Sequence, residues 1–499
     1  MKHIKTRFPP SPTGMLHIGS LRTALFNYLF AKKQGGTFLL RIEDTDQERF
    51  VEGGIQNIIR TLDWAGMTPD EGPFLDDAGT LHEKGNAGPY IQSNRLDIYK
   101  EYVQKLLDAG HAYYAFDTGE ELTAMRERQQ LNKQPTRYER GTMQNQFSLS
   151  EEETQKRVAA GKYVVRLKVE REGETTFHDL IRGDITFKNS EIDDQILMKS
   201  DGFPTYHLAV VVDDHLMGIT HISRGEEWLS STPKHVLLYQ MFGWDVPVFA
   251  HQPLLVNEQK QKLSKRHGDV SVEDFVEKGY LKEALINFVA FLGWNPGDER
   301  EIFTLAELEK EFDMSKMSKS AAVFNREKLD WYNKQYMMNM DLDELATRAL
   351  PFFRHAGIIR KEEIDDPEEL AQFKAAIDLE RSRAHTLSEL ALSLGFIYSD
   401  ELAYEPSLLI WKKDTQAGSK ELLENTAAFL ETVDDWSLAS LEEKMKAWIE
   451  EHGYGVGNVL WPMRTALSGQ KNSPGPFELA AVLGKEKSIA RIKQGAQLL

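Results

Sequence analysis

Along the first half of the chain, strand-length apolar runs alternate with segments whose apolar residues recur at helical spacing. Residues 3–8 (HIKTRF) form the first run, and the three prolines within FPPSPTG (8–14) forbid a helix directly after it. Leu21, Ala24, Leu25, Tyr28 and Leu29 then share one helix face, and Gly35 and Gly36 mark its end. TFLLRI (37–42) is the next strand. A strand, a helix and a strand in this order make a βαβ unit, which implies a parallel, doubly wound sheet.

Residues 101–194 break the alternation. They begin helical and polar, then carry strand patterns in YVVRLKV (163–169) and DITFKN (184–189), as an insertion would. The alternation then resumes. YHLAVVV (206–212), ITHIS (219–223) and VPVFA (246–250) read as strands. STPKHVLLYQMFG reads as a helix with Pro233 in its first turn and Gly243 at its end. Strand signals fade after residue 256, and from residue 325 onward the pattern is of amphipathic helices, with neither repeats nor low-complexity tracts. The fold class expected is an α/β N-terminal half, a doubly wound parallel-sheet Rossmann-like domain with an α+β insertion, followed by a mostly α-helical C-terminal half.

Polar clusters follow the five expected strands: FPPSPTGMLHIGS, EDTD, VDDH, RGEEW and HQPLLVNEQKQKLSKR. In an open parallel sheet, ligands bind at the carboxyl ends of the strands, so these clusters point to one site. HIGS opens the first helix, where free N–H groups and the helix dipole can hold a phosphate. Gly19 lets a ligand approach the backbone, and His17 adds a donor. Composition narrows the classes. The 60 basic against 78 acidic residues, net −18, weigh against a nucleic-acid partner, although a local basic track can sit on an acidic body. There is no cysteine, so disulfides and thiolate metal sites are excluded. No membrane-length apolar run occurs and MKHIKTRFPP lacks a secretory stretch, so a cytoplasmic protein without a membrane partner is expected.

RFPPSPTGMLHIGSLRTALFNYLFA, RIEDTD, RGEEW, STPKHVLLY and KLSKR together resemble class I aminoacyl-tRNA synthetases of the bacterial glutamyl-tRNA synthetase family. The resemblance runs through nearly the whole chain, densely to residue 335 and thinly beyond. Ser20 occupies the last position of the HIGH-type motif, where a small residue is usual in this branch. The layout implied is a catalytic domain in two parts, 1–100 and 195–255, around an acceptor-end-binding insertion, 101–194. A domain carrying the ATP loop and a stem contact (256–335) and two helical anticodon-binding parts (336–400 and 401–499) follow. The reaction implied is attack of glutamate on the α-phosphate of ATP, then transfer of the acyl group to the terminal adenosine of glutamate tRNA. Such chemistry relies on positioning and charge stabilisation.

The resemblance implies an ATP site of Pro10, Ser11, Gly14, His17, Gly19, Ser20, Lys262, Ser264 and Lys265, with His17, Lys262 and Lys265 as the catalytic donors and cations. Mg²⁺ would accompany the ATP. The partners implied are glutamate tRNA, ATP and L-glutamate, with the chain a monomer. A second lysine string, KMSKS (316–320), matches the ATP-loop signature more literally than KLSKR (262–266). However, KMSKS follows a helix capped by Thr304, with no sheet edge beside it in sequence, whereas KLSKR follows a strand on the ligand edge. KLSKR is therefore the expected ATP loop. Lys316 and Lys319 belong to a helix–turn structure or touch the RNA backbone.

Glutamate carries two carboxylates and an ammonium. Arg7 and Arg224, at strand ends, suit the carboxylates, because arginine can grip them bidentately. Glu43 suits the ammonium, with pairing to Arg41 or Arg49 as its structural alternative. Tyr206 can donate to the side-chain carboxylate, and Ser11 and His207 complete the wall. Asp44, Asp46, Asp213 and Asp214 are expected to shape loops, with a metal pair at 213–214 as the lesser reading. Trp228 is expected to pack in the core rather than on adenine. Arg381 and Arg383 are candidates for an anticodon contact, with plain exposed arginines an equal reading. Two other functions stay open: a non-discriminating enzyme that also charges glutamine tRNA, and a small-molecule nucleotidyltransferase, which would have no use for the helices of 336–499.

Some family members hold zinc on cysteines of the insertion. The matching stretches here are AYYAFD (112–117) and PTRYERGT (135–142), which keep no ligand set, so no zinc is expected. Tyr113, Tyr114, Phe116 and Tyr138 are expected to hold the insertion by packing instead. Elemental analysis of the purified protein should find no stoichiometric zinc; one zinc per chain would refute this reading.

Overall fold

The structure, a computed structural model, describes residues 3–263 and 270–499. The chain forms two compact units. One holds Met1–Asp274 with Leu285–Arg326, and the other holds Phe275–Ala284 with Glu327–Leu499. In the first unit, strand Lys5–Phe8 pairs in parallel with Thr37–Leu40, and helix Ile18–Lys33 connects them. That helix buries Leu21, Ala24, Leu25 and Leu29, carries Lys32 and Lys33 where the dipole favours cations, and ends before Gly35 at φ +60°. Asn27, buried within it, donates to the Ser223 carbonyl at 3.1 Å and so ties it to strand His221–Gly225.

Strand His221–Gly225 pairs in parallel with Val248–Gln252, which places Arg224 opposite His251. Val248–Gln252 pairs in turn with the hairpin Glu174–Asp179 and Gly183–Lys188, with Phe249 opposite Asp179. This hairpin lies inside the range 101–194, so part of that segment extends the sheet that carries Arg224. The rest forms an antiparallel sheet of Ala112–Ala115, Val164–Leu167 and Ile196–Met198. Tyr113, Met125, Tyr138 and Met143 build a small core beside it, Tyr114 meets Tyr163 edge-on, and Arg157 covers the Phe116 ring.

The expected strand at 206–212 is a helix, Tyr206–Leu216. Leu208 to Val212 are all buried, and a continuous apolar run has no periodicity that separates a buried strand from a buried helix. Thr205, in extended conformation, takes the N-cap position. Consequently Asp213 and Asp214 do not shape a loop. Both are fully buried within the helix. Asp213 accepts from Arg95 Nε at 2.7 Å, the Tyr99 hydroxyl at 2.8 Å and Gln92 Nε2 at 2.9 Å. Asp214 accepts from Arg7 Nε at 3.0 Å and Arg41 Nη1 at 2.8 Å. Cationic partners occupy both carboxylates, so the metal reading of this pair does not hold.

The expectation that no sheet edge adjoins KMSKS is also corrected. Its Met314–Lys316 turn follows helix Leu305–Glu311, which has a Thr304–Glu307 capping box, and strand Ala322–Val323 comes directly after the string. That strand pairs in parallel with Leu255–Val256.

The second unit is helical, and Asp341, Asp366, Thr386 and Thr415 cap four of its helices. Buried Arg491 donates to the Leu467, Phe396 and Ser399 carbonyls and joins three segments of this unit. Among the described residues, no helix is long and apolar enough to cross a membrane.

Asp213→Ala would leave Arg95 in the interior without its carboxylate. It is expected to cost the first unit roughly 3–5 kcal/mol, seen as an earlier urea transition in tryptophan fluorescence. An unchanged transition would show that the carboxylate is dispensable.

Candidate active site

The carboxyl ends of strands Lys5–Phe8, Thr37–Leu40 and His221–Gly225 face one cavity of about 950 Å³. Its wall assembles Arg7, Pro10, Ser11, His17, Gly19, Ser20, Glu43, Tyr206, Arg224 and Lys262, drawn from segments far apart in sequence. Gly14, at φ +144°, shapes the turn before the helix and is not in the wall. Ser264 and Lys265 lie outside the described residues.

His17 is the N-cap of helix Ile18–Lys33, and its Nδ1 accepts the Gly19 N–H at 3.0 Å. The imidazole is therefore the tautomer with its proton on Nε2. A tight turn brings in Lys262. Asn257 Oδ1 accepts the Gln261 N–H at 2.8 Å, Lys260 takes φ +60°, and Lys262 folds back to bridge Val256. KMSKS is placed elsewhere: Lys316 Nζ donates to the Pro296 carbonyl, Lys319 is exposed, and neither lines the cavity.

The floor is a buried ion network. Asp214 joins Arg7 to Arg41, and Arg41 in turn donates to Glu43 Oε1 from Nη2 at 3.0 Å and Nε at 3.3 Å. Of the two structural pairings expected for Glu43, that with Arg41 is present, and Glu43 still faces the cavity. Burial alone would raise the Asp214 carboxyl, but Arg7 and Arg41 together hold it below the usual carboxylate range. Burial pushes Glu43 up to about 7 against the pull of Arg41. Arg7 Nη1 is buried and has no hydrogen-bond partner among the described residues, an exception among buried donors that suits an anionic ligand.

Arg224 is held differently. Its Nε donates to His251 Nε2 at 3.2 Å, and its Nη1 to the Tyr206 hydroxyl at 3.0 Å and His235 Nδ1 at 3.2 Å. Its Nη2 donates to Thr232 Oγ1 at 2.7 Å and, more weakly, to the Trp228 carbonyl at 3.5 Å. His207 is not in the wall; it stands behind Arg224, hydrogen-bonded to His235 at 3.0 Å. Trp228 is not a core residue either. It is 38% exposed, lines the cavity and lies 4.5 Å from the Tyr206 ring. Asp44 accepts the Ser93 N–H and Asp46 pairs with Arg49, both loop roles. Arg381 donates to the Met340 carbonyl and pairs with Asp378, while Arg383 lies 3.9 Å from Glu380.

Sequence reasoning missed Thr232, His235 and His251, which surround Arg224, and Asp179, which holds His251. His251 had a signal, since it ends an apolar strand on the ligand edge. Asp179 had none, because only the pairing of the hairpin with Val248–Gln252 brings it near.

Residues 3–331 match the family described as tRNA synthetases class I (E and Q), catalytic domain, and residues 344–496 match the anticodon binding domain family. The glutamate–tRNA ligase of Clostridioides difficile is 44% identical, with 98% of each chain covered. That of Chloroherpeton thalassium is also 44% identical, over 99% of this chain and 98% of its own. The crystal structure of a glutamate tRNA ligase from Elizabethkingia meningosepticum, in complex with its amino acid, superposes with a TM-score of 0.87 at 37% identity, covering 100% of this chain and 99% of that one. The Elizabethkingia anophelis glutamate–tRNA synthetase does so with a TM-score of 0.86. With both halves of the chain matched and the cavity built from the motif residues, this chain belongs to the glutamate–tRNA ligase family of class I aminoacyl-tRNA synthetases.

Proposed function

We propose that the protein joins L-glutamate to the 3′ end of glutamate tRNA through a glutamyl-adenylate made from ATP. One observation carries this reading. A single cavity sets two arginines and a carboxylate, Arg7, Arg224 and Glu43, beside His17 and Lys262. The arginines complement the two carboxylates of glutamate and Glu43 complements its ammonium, while the HIGS helix start and Lys262 suit the phosphates of ATP. The activity is carried to this chain on identity that extends over nearly all of it and of its relatives.

Arg7 meets one substrate carboxylate through Nη1, which has no partner among the described residues. Tyr206, which accepts from Arg224, turns its hydroxyl proton to the other, and Arg224 exchanges its longest contact, to the Trp228 carbonyl, for that carboxylate. Glu43 binds the ammonium as a carboxylate, and the arriving cation lowers its raised pKa. Pro10, Ser11, Gly19 and Ser20 line the approach to the helix start, where the phosphates would rest. As the glutamate oxygen attacks the α-phosphate, His17, Lys262 and Lys265 counter the charge that develops and pyrophosphate leaves. Mg²⁺ would accompany the nucleotide substrate and offset the charge of its phosphates, and Glu227, a carboxylate in the cavity wall, would help to hold it. The segment 101–194 would approach the acceptor end, and the helices of 336–499 would read the anticodon. We place the reaction in the cytoplasm, with the chain acting as a monomer.

The test is direct. Purified protein with labelled glutamate, ATP and glutamate tRNA should yield labelled, acid-precipitable tRNA. Labelling of glutamine tRNA as well would mean a non-discriminating enzyme, and labelling of neither would refute the reading.

The two lysine strings give a second prediction. Lys262→Ala and Lys265→Ala are each expected to slow adenylate formation by about 10²–10³, the usual cost of removing one preorganised donor. Lys319→Ala should leave that rate within about twofold, since an exposed lysine outside the cavity adds nothing to the transition state. Equal losses in all three variants would overturn the assignment of the loops.

A further inference from the structure

The guanidinium of Arg224 has five N–H groups, and each ends on an uncharged acceptor: His251, Tyr206, His235, Thr232 and the Trp228 carbonyl. Arg7 and Arg41, in the same wall and floor, are instead neutralised by shared carboxylates. The acceptors fix the plane and roll of Arg224 and leave its positive charge in place.

An imidazole nitrogen that accepts from arginine must be unprotonated, so each histidine has a forced tautomer. His251 accepts at Nε2, so its proton is on Nδ1, which donates to Asp179 Oδ2 at 2.6 Å. Asp179 is itself fixed. Its Oδ2 also accepts the His251 N–H, and its Oδ1 accepts those of Ile181 and Arg182, all at 2.9 Å. His235 accepts at Nδ1, so its proton is on Nε2, which donates to His207 Nδ1 at 3.0 Å. Strand register builds the first arm: Arg224 lies opposite His251, and the adjoining strand ends at Asp179. Burial lowers His207 to about 3 and His235 well below the usual range. It also lowers His251, although Asp179 opposes the shift, so all three rings are neutral near pH 7.

We propose that Asp179–His251 and His207–His235 are positioning residues that orient Arg224 toward the side-chain carboxylate of glutamate through neutral acceptors. This rests on the reading of the cavity as a glutamate site. A carboxylate in direct contact would orient Arg224 equally well, but it would neutralise the charge and compete with the substrate. The imidazole keeps geometry and charge apart, and Asp179, one ring further away, sets the tautomer, much as a second-layer carboxylate orients a ligating histidine.

The test uses the full chain in tRNA charging, with the KM for glutamate and for ATP measured separately. His251→Leu removes the acceptor at similar volume. It is expected to raise the glutamate KM by about tenfold or more, as for a lost hydrogen bond to a charged group, and to move the ATP KM by less than about twofold. His251→Gln, which offers an amide oxygen near the position of Nε2, should recover most of that loss. If both KM values rise together in His251→Leu, or if Leu and Gln behave alike, the proposal fails. Should His251→Leu not fold, ¹⁵N-histidine NMR of the substrate-free wild type decides. The resonance lost in His251→Gln should show a neutral ring protonated on Nδ1, and an imidazolium or an Nε2–H ring would overturn the proposal. A wild type that charges no tRNA with glutamate would refute the glutamate reading, whereas the NMR result stands apart from it.

Discussion

Two adjacent buried carboxylates, Asp213 and Asp214, are the constraint on which the catalytic unit depends. Each accepts from arginine in an interior that excludes water, and the desolvation of these charges is tolerable only while every partner is in place. Helix Tyr206–Leu216, strands Lys5–Phe8 and Thr37–Leu40 and the segment Gln92–Arg95 must therefore come together as one arrangement. Consecutive residues on a helix diverge by about 100°. That angle lets Asp214 serve Arg7 and Arg41 while its neighbour serves Arg95 and Tyr99. On a strand the two side chains would point to opposite faces, and one buried layer could not hold both.

The cavity above this layer uses arginine in two ways. Arg7 is anchored by a carboxylate at Nε and presents an Nη1 without a partner among the described residues. Arg224 is anchored by neutral groups throughout and keeps its charge. Glu43 lies between these cases, because Arg41 supplies its counter-charge while burial pushes its carboxyl up to about 7. A cation brought beside it would favour the ionised form, as its proposed role requires. One wall thus carries two arginines and a carboxylate, the arrangement on which the proposed recognition of a dicarboxylic amino acid rests.

Sequence alone determined much of this. The βαβ start, the HIGS helix opening and the cavity positions of Arg7, Glu43, Arg224 and Lys262 were legible, because local periodicity and strand-end placement are properties of short segments, whereas Tyr206 was reached through the family resemblance alone. The different placement of the two lysine strings was legible as well: Lys262 lines the cavity, while Lys316 is tied to the Pro296 carbonyl, and which string serves ATP stays a proposal. Tertiary structure decided what depends on distant partners. The run YHLAVVV reads as a strand yet is a helix, because burial on all sides removes the periodicity that would distinguish the two. Trp228 lines the cavity and His207 does not, Thr232, His235 and His251 close around Arg224, and Asp179 holds His251. The physical reason is that a side chain's partner is set by register between strands and by packing of elements many residues apart, and neither is written in the local pattern of the chain.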